Sequence, residues 1–379
     1  MINVISHYNI SIVIPTENRS HLLTALLESL KSDRDSYTDG STEVIVVDSS
    51  EGGEKEKIMQ ACRNFDAMYY VGDASVRKKR NYGIMIAQYS YVLFLDSDVT
   101  VKKGLLSEYF KIYQQNENNS QLGGILGYTE FVGKKSFWWK VLELTTLVNS
   151  FSFAKKYPFH SWTIANNVSF KTDVLKEIGM FEEDFPFNLG GDDLDLSYRV
   201  NKAGYMIASA PEAIAYHSRS TWDSFQAIRD RAKRWGTMEK LIANRHPELY
   251  RAIIPKSYVL ILIVLITSIL FSVISGKWLA TIITCCWIIV NSLAQYILNG
   301  INYGFKNPIY FFIASWIQGM YEYYRIRQSL KEKSMEAFYK GLIFNLSWVK
   351  SEMKNESLRL RTLFITYLLV FLLIVFIYR

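Results

Sequence analysis

The sequence predicts an α/β domain with an open, mostly parallel sheet flanked by helices, followed by an all-α membrane region with interfacial helices. Three observations lead there. Short apolar runs ending in acidic or small polar residues alternate with helical patterns through the first two thirds of the chain. Residues 1–254 carry 30 Lys and Arg against 31 Asp and Glu, whereas 255–379 carry 13 against 5, so the net charge of +7 belongs to the C-terminal third. In that third the cations sit between long apolar runs, a pattern that points to a membrane surface and away from nucleic acid. Cys62 stands alone and Cys285-Cys286 are adjacent, which excludes a disulfide framework or a metal-type cysteine spacing and suits a reducing compartment. Residues 1–9 lack the basic and apolar regions of a signal peptide, so the first domain is expected on the cytoplasmic side.

Ser11-Ile12-Val13-Ile14-Pro15-Thr16 reads as a buried strand stopped by proline, and Leu22, Leu23, Leu26, Leu27 and Leu30 then follow helical spacing. A second strand, Glu43 to Asp48, ends in an acid and leads to Gly52-Gly53. Met68 to Val71 is a third. After Gly72-Asp73 comes the basic run Arg77-Lys78-Lys79-Arg80, then Asn81-Tyr82-Gly83 and a helix. Such a run is often only a solvated helix face; the functional reading is that Arg80, nearest the Asn-x-Gly turn, faces a diphosphate. Tyr91-Val92-Leu93-Phe94-Leu95 runs straight into Asp96-Ser97-Asp98. A strand buried on both faces presents ligands at its carboxyl end, and two hard oxygen donors there suit Mg2+ or Mn2+ on a diphosphate, although an isolated Asp-x-Asp also serves as a turn.

Gly190-Gly191-Asp192-Asp193-Leu194-Asp195 is the second acidic centre, with Arg199 about one turn later. The glycines allow close approach to a ligand, and the acids fall in the first turn of a helix, where its dipole favours them. The strand Ala208 to Tyr216 ends at His217. Phe225 to Asn244 is a basic amphipathic helix containing Arg231-Ala232-Lys233-Arg234-Trp235, which suits a bilayer surface.

In order and spacing, Val13-Ile14-Pro15-Thr16 with Asn18-Arg19, Val46-Val47-Asp48, Arg80-Asn81-x-Gly83 and Leu95-Asp96-Ser97-Asp98 resemble the nucleotide-sugar half of family 2 glycosyltransferases, which have the GT-A fold. The resemblance covers about residues 10 to 240. It implies an inverting transferase in which Pro15, Thr16, Glu17, Asp48, Asp73, Arg80, Asn81 and Asp96 hold the donor, with Asp48 on the nucleobase. It also implies that Asp98, Asp96 and the strand-end His217 form the metal site. The Asp192 to Arg199 block resembles the family's Glu-Asp-x-Asp-Leu segment with its following arginine, and implies Asp193 as catalytic base with Asp192 the alternative. Displacement at an anomeric carbon needs a carboxylate to take the acceptor proton. Asp195 reads as structural, through Arg199. Arg234-Trp235 resemble the end of the Gln-x-x-Arg-Trp signature of membrane polysaccharide synthases; Arg231 in place of Gln counts against processive polymerisation.

The expected organisation is a cytoplasmic transferase domain over 1–224, interfacial helices over 225–254 and a multi-pass cell-membrane domain over 255–379. Its spans are expected near 257–275, 278–298 and 361–378, with 305–324 interfacial or, in the alternative, a fourth span. The expected function is metal-dependent transfer from a nucleotide-sugar, UDP-linked, to a lipid-linked or polysaccharide acceptor, a polyprenyl-linked glycan foremost. The alternatives are a polyprenyl-phosphate sugar synthase, a processive polysaccharide synthase, and a membrane scaffold or transport protein with a degenerate transferase domain.

Overall fold

The computed structural model describes residues 8–184, 190–252 and 257–342, with single positions between 365 and 376. It divides into two compact units, Met1–Ser136 with Leu147–Asp223 and Phe137–Thr146 with Ser224–Arg379. The excursion 137–146, which sequence assigned to the first domain, thus belongs to the second.

The first unit opens with β1 (Ile10–Thr16), α1 (Ser20–Arg34), β2 (Thr42–Asp48), α2 (Gly52–Asn64), β3 (Met68–Val71), α3 (Val76–Ile86) and β4 (Tyr91–Leu95). Then come β5 (Val99–Val101), α4 (Leu105–Gln115) and β6 (Leu122–Val132). After α5 (Phe137–Leu142) of the other unit follow α6 (Phe153–Lys156), β7 (Phe159–His160), β8 (Asn167–Lys171), α7 (Thr172–Glu177), α8 (Asp192–Lys202) and β9 (Met206–Ser218).

These strands form one sheet in the order β3-β2-β1-β4-β8-β6-β9-β5, with β7 also on β9. The sheet is mixed: the expected parallel order runs unbroken from β3 to β4 and returns between β6 and β9. β3, β2, β1 and β4 are parallel, but β8 runs antiparallel to both β4 and β6, and β5 and β7 run antiparallel to β9. Strand direction is invisible in an apolar run. Val168 and Phe170 fit the pleat equally well either way.

Side-chain alternation builds two cores, one on each face. Ile10, Ile12, Ile14, Val44, Val46, Leu93 and Leu95 pack with Leu23, Leu26, Leu27 and Leu30 of α1 and with α2 and α4. On the other face Val13, Ile45, Val47, Val92 and Phe94 pack with Ile84 of α3, Val174 and Leu175 of α7, and Leu196 and Val200 of α8. Gly83 is what lets α3 lie this close: a Cβ there would strike the Val13 side chain. Arg80, one turn earlier, is thereby brought against the carboxyl edge of the sheet.

The second unit contains α9 (Phe225–Arg245), β10 (Tyr250–Ala252), α10 (Ser257–Ser275), α11 (Leu279–Tyr303), α12 (Pro308–Lys331) and β11 (Lys340–Leu342). Gly236 on α9 meets the Tyr321 carbonyl of α12 so closely that any larger residue would part the helices. Beside it Glu239, buried, accepts from Arg325 Nη1 at 3.1 Å and from Tyr321 Oη at 2.5 Å. α10 and α11 form a hairpin turning at Gly276 (φ +69°), stitched by Ser272 Oγ and Thr281 Oγ1 at 2.8 Å.

Among the described residues, no helix is long and apolar enough to cross a membrane. The spans expected at 257–275 and 278–298 therefore find no support there. The segment expected to be interfacial, 305–324, falls largely within α12, which buries Phe311, Ala314 and Ile317. The span expected at 361–378 lies almost wholly outside the described residues, as do Lys350, Lys354, Arg359 and Arg361.

Phe94 is fully buried, with Phe181 at 5.4 Å and Phe170 at 6.4 Å between ring centroids. Phe94→Ala is expected to destabilise the first unit by about 3–5 kcal/mol, read as a lower urea midpoint with the native circular dichroism unchanged before the transition.

Candidate active site

The carboxyl ends of β1, β2 and β4 bring Thr16, Asp48 and Asp96 to one edge of the sheet. Arg80 joins that edge to the second acidic centre. Its Nη2 donates to Asp96 Oδ1 and its Nη1 to Asp192 Oδ2, both at 2.8 Å. The guanidinium side chain is 7 % exposed and lies over the Phe181 ring. Burial works against its charge, but Asp96, Asp192 and Asp193 outweigh that and hold its pKa above the ordinary value. The arginine expected to face a diphosphate is thus engaged by two carboxylates of this chain.

Asp192, Asp193 and Asp195 occupy the first turn of α8 behind Gly190 (φ +76°) and Gly191 (φ +85°). The left-handed pair is a conformation that only glycine adopts cheaply. Asp193 is half-buried; its Oδ1 accepts from Leu194 N at 2.9 Å and its Oδ2 from Ala165 N at 3.3 Å. Loss of hydration and the adjoining Asp192 push its pKa up to about 7, against the pull of Arg80 and the two backbone donors. A carboxylate poised there can accept a proton near neutrality. Asp195, fully buried, accepts from Arg199 Nε at 2.8 Å, and the Arg199 fork donates to the Ile178 and Met180 carbonyls at 2.6 Å each.

Asp98 meets a different arginine. Arg19 Nη1 lies 3.0 Å from Asp98 Oδ2, and His217 Nε2 lies 3.5 Å from Asp98 Oδ1. His217 Nδ1 donates to the Ser218 carbonyl at 3.0 Å, which leaves Nε2 as the lone-pair nitrogen of the neutral ring. Phe131 (5.0 Å between centroids) and Trp222 (6.1 Å) fix the imidazole plane. Among the described residues, no three His, Cys, Asp or Glu side chains are gathered closely enough to hold a metal ion. The Asp98–His217 pair nevertheless fits one by its chemistry, a hard oxygen beside an oriented imidazole nitrogen, since Mg2+ bound to phosphates takes only one or two protein carboxylates.

Asp48 is fully buried: Oδ1 accepts from Ser50 N (3.0 Å) and Ser50 Oγ (2.6 Å), and Oδ2 from Tyr69 Oη (3.1 Å). Pro15 and Thr16 are buried at the end of β1, with Glu17 exposed beyond them. Lys79 Nζ donates to the Thr16 carbonyl at 2.7 Å, and burial lowers its pKa. Asp73 is held by Lys78 at 3.1 Å and accepts from Ser75 N, which with the lysine lowers its pKa. Asn81 Nδ2 donates to the Phe181 carbonyl (2.8 Å) and Glu183 Oε1 (2.9 Å), and its Oδ1 accepts from Phe181 N. Arg234 and Trp235 lie on α9 in the second unit, where burial lowers the Arg234 pKa and Asp230, one turn earlier, opposes that. Sequence reasoning missed the placement of Arg19, although Asn18-Arg19 stood inside a quoted motif, and missed Tyr69 and Lys79, which carry no motif.

In open α/β sheets ligands bind outside the carboxyl ends of the strands, and here acids and arginines gather at that edge. Residues 11–172 match the model of Glycosyl transferase family 2. Residues 11–172 are thus similar to that family, and the match spans the motifs that led us to expect it. It is similar to the chondroitin synthase of Escherichia coli, 26 % identical over 278 residues, covering 64 % of this chain and 39 % of that protein. It is also similar to the hyaluronan synthase of Pasteurella multocida, 23 % identical over 281 residues, covering 66 % and 28 %. The chain therefore spans two fifths or less of the length of these two relatives. Among solved structures, S. aureus TarS 1-349 in complex with UDP-GlcNAc overlays with a TM-score of 0.44 at 20 % identity, covering 62 % of this chain and 67 % of that one. The mannosyltransferase PcManGT from Pyrobaculum calidifontis in complex with GDP-Man and Mn2+ gives 0.46 at 15 %, covering 86 % and 85 %.

Replacing Arg80 with Met leaves Asp96 and Asp192 without their shared partner. A loss of about 3–5 kcal/mol is expected for removing one side of a buried ion pair, read as a drop in the thermal midpoint that Arg80→Lys recovers only in part.

Proposed function

We propose that the protein is an inverting transferase that moves a sugar from a nucleotide-sugar, UDP-linked, onto a glycan carried at a membrane. The observation that supports this reading is the Arg80 bridge, which ties Asp96, within the stretch that matches family 2, to Asp192, next to the base candidate Asp193. In the reaction Asp193 accepts the proton of the acceptor hydroxyl, whose oxygen bonds to the anomeric carbon. The bond from that carbon to the diphosphate oxygen breaks on the opposite side, and a nucleoside diphosphate leaves. Asp192 holds Arg80 and is the lesser candidate for base. Asp98 and His217, with Asp96 adjacent, would hold Mn2+ or Mg2+, which supplies positive charge to the leaving diphosphate.

For the acceptor, the names of the chondroitin and hyaluronan synthases favour a polysaccharide over a polyprenyl phosphate. A polyprenyl-linked glycan satisfies the same chemistry, because it too attacks through a hydroxyl that needs a base. Metal-dependent turnover is expected to be lost in Asp98→Asn and to fall at least a hundredfold, about the contribution of one general base, in Asp193→Asn. In the wild type, kcat/KM should rise with pH through about 7 as Asp193 loses its proton and becomes competent. Turnover unaffected by Asp193→Asn points to a phosphate acceptor, and failure to bind or turn over any nucleotide-sugar overturns the enzyme reading.

Membrane association is part of the proposal. Its support is the apolar surface left open on α10 and α11: Leu262, Ile266, Leu270 and Ile274 on one, Ile289, Val290 and Leu293 on the other. We expect the full-length protein to float with liposomes containing anionic lipid and to resist release by high salt. Recovery in the aqueous fraction at low salt rules this part out.

A further inference from the structure

Resting on that reading of the donor site, we propose that Arg19 is a resident counter-charge on Asp98, displaced when the divalent cation binds and then forked onto the donor diphosphate. The loop from β1 to α1 turns at Asn18, whose φ of +51° lies in the left-handed region and whose N–H donates to Ser50 Oγ at 2.7 Å. That kink directs Arg19 across the strand edge to Asp98 at 3.0 Å, while its carbonyl accepts from Leu22 and Leu23 at the start of α1.

The two arginines of the Asp-Ser-Asp motif are not equivalent. Arg80 is 7 % exposed and held by two carboxylates, whereas Arg19 is 50 % exposed and, among the described residues, is paired with one carboxylate, Asp98. A pair whose arginine stands half in solvent is weak and exchangeable, although Asp98 itself is 10 % exposed. A cation entering between Asp98 and His217 meets the Arg19 guanidinium as a like charge, and Arg19 is the group free to move. Its long side chain stays anchored at the carboxyl end of β1, and its planar fork suits two phosphate oxygens.

The test uses the detergent-solubilised full chain and two direct binding measurements, Mn2+ alone by loss of the free-ion paramagnetic signal, and UDP or GDP at saturating Mn2+ by calorimetry. Arg19→Gln should bind Mn2+ tighter by up to about fivefold, since the competing pair is worth up to about 1 kcal/mol, and should bind the nucleoside diphosphate at least about tenfold more weakly. Arg19→Lys, which keeps the charge and loses the fork, should leave Mn2+ affinity near wild type and still weaken the nucleotide. The inference fails if wild type binds both ligands and Arg19→Gln matches it, or if the variant loses Mn2+ affinity. Wild-type protein that binds neither Mn2+ nor either nucleotide overturns the donor-site reading itself, and the inference with it.

Discussion

The buried guanidinium of Arg80 is the contact on which the rest of the site depends. Two acidic segments about a hundred residues apart converge on it, and carboxylates gathered this closely repel one another strongly at low dielectric. One cation bonded to both turns that repulsion into a cross-link between α3, the end of β4 and the start of α8. The pair is costly to desolvate, so its role is to fix position more than to add stability.

Around that cross-link the structure holds its loops from both sides. Asn81, next to Arg80 in the chain, grips the backbone and side chain of residues 181 and 183, while the Arg199 fork grips carbonyls 178 and 180. Residues 178–183 are thereby fastened to α3 and to α8. Asp193 sits beside this rigid frame, and loss of hydration with Asp192 as its neighbour raises its pKa against the pull of Arg80 and two backbone donors.

The second unit follows a different constraint. Gly236 and the Glu239–Arg325–Tyr321 cluster bind α9 to α12 through one close approach and one buried polar network. α10 and α11 instead pair along a thin seam, with Ser272 and Thr281 bonded between them, and leave most of their large side chains outside. The apolar surface they leave open is the support for the proposed membrane association.

The sequence by itself determined the elements and the two faces of the first sheet. Alternation in Ile12-Val13-Ile14 and Val44-Ile45-Val46 assigns side chains to opposite cores, and the 3–4 spacing of Leu23, Leu26, Leu27 and Leu30 makes one helical face; both are local and periodic. It also placed acids at strand ends and in the first turn of α8, because those motifs are short and contiguous. Asp195 with Arg199 was readable for the same reason, as an i, i+4 pair on one helix. Only the tertiary structure decided that β8 lies antiparallel between β4 and β6, that Arg80 faces Asp96 and Asp192, and that Arg19 takes Asp98. It alone showed Asp48 bonded to Ser50 and Tyr69. Each of these depends on which distant segments the sheet order makes neighbours, and a side chain's partner across such a gap leaves no period or spacing in the chain.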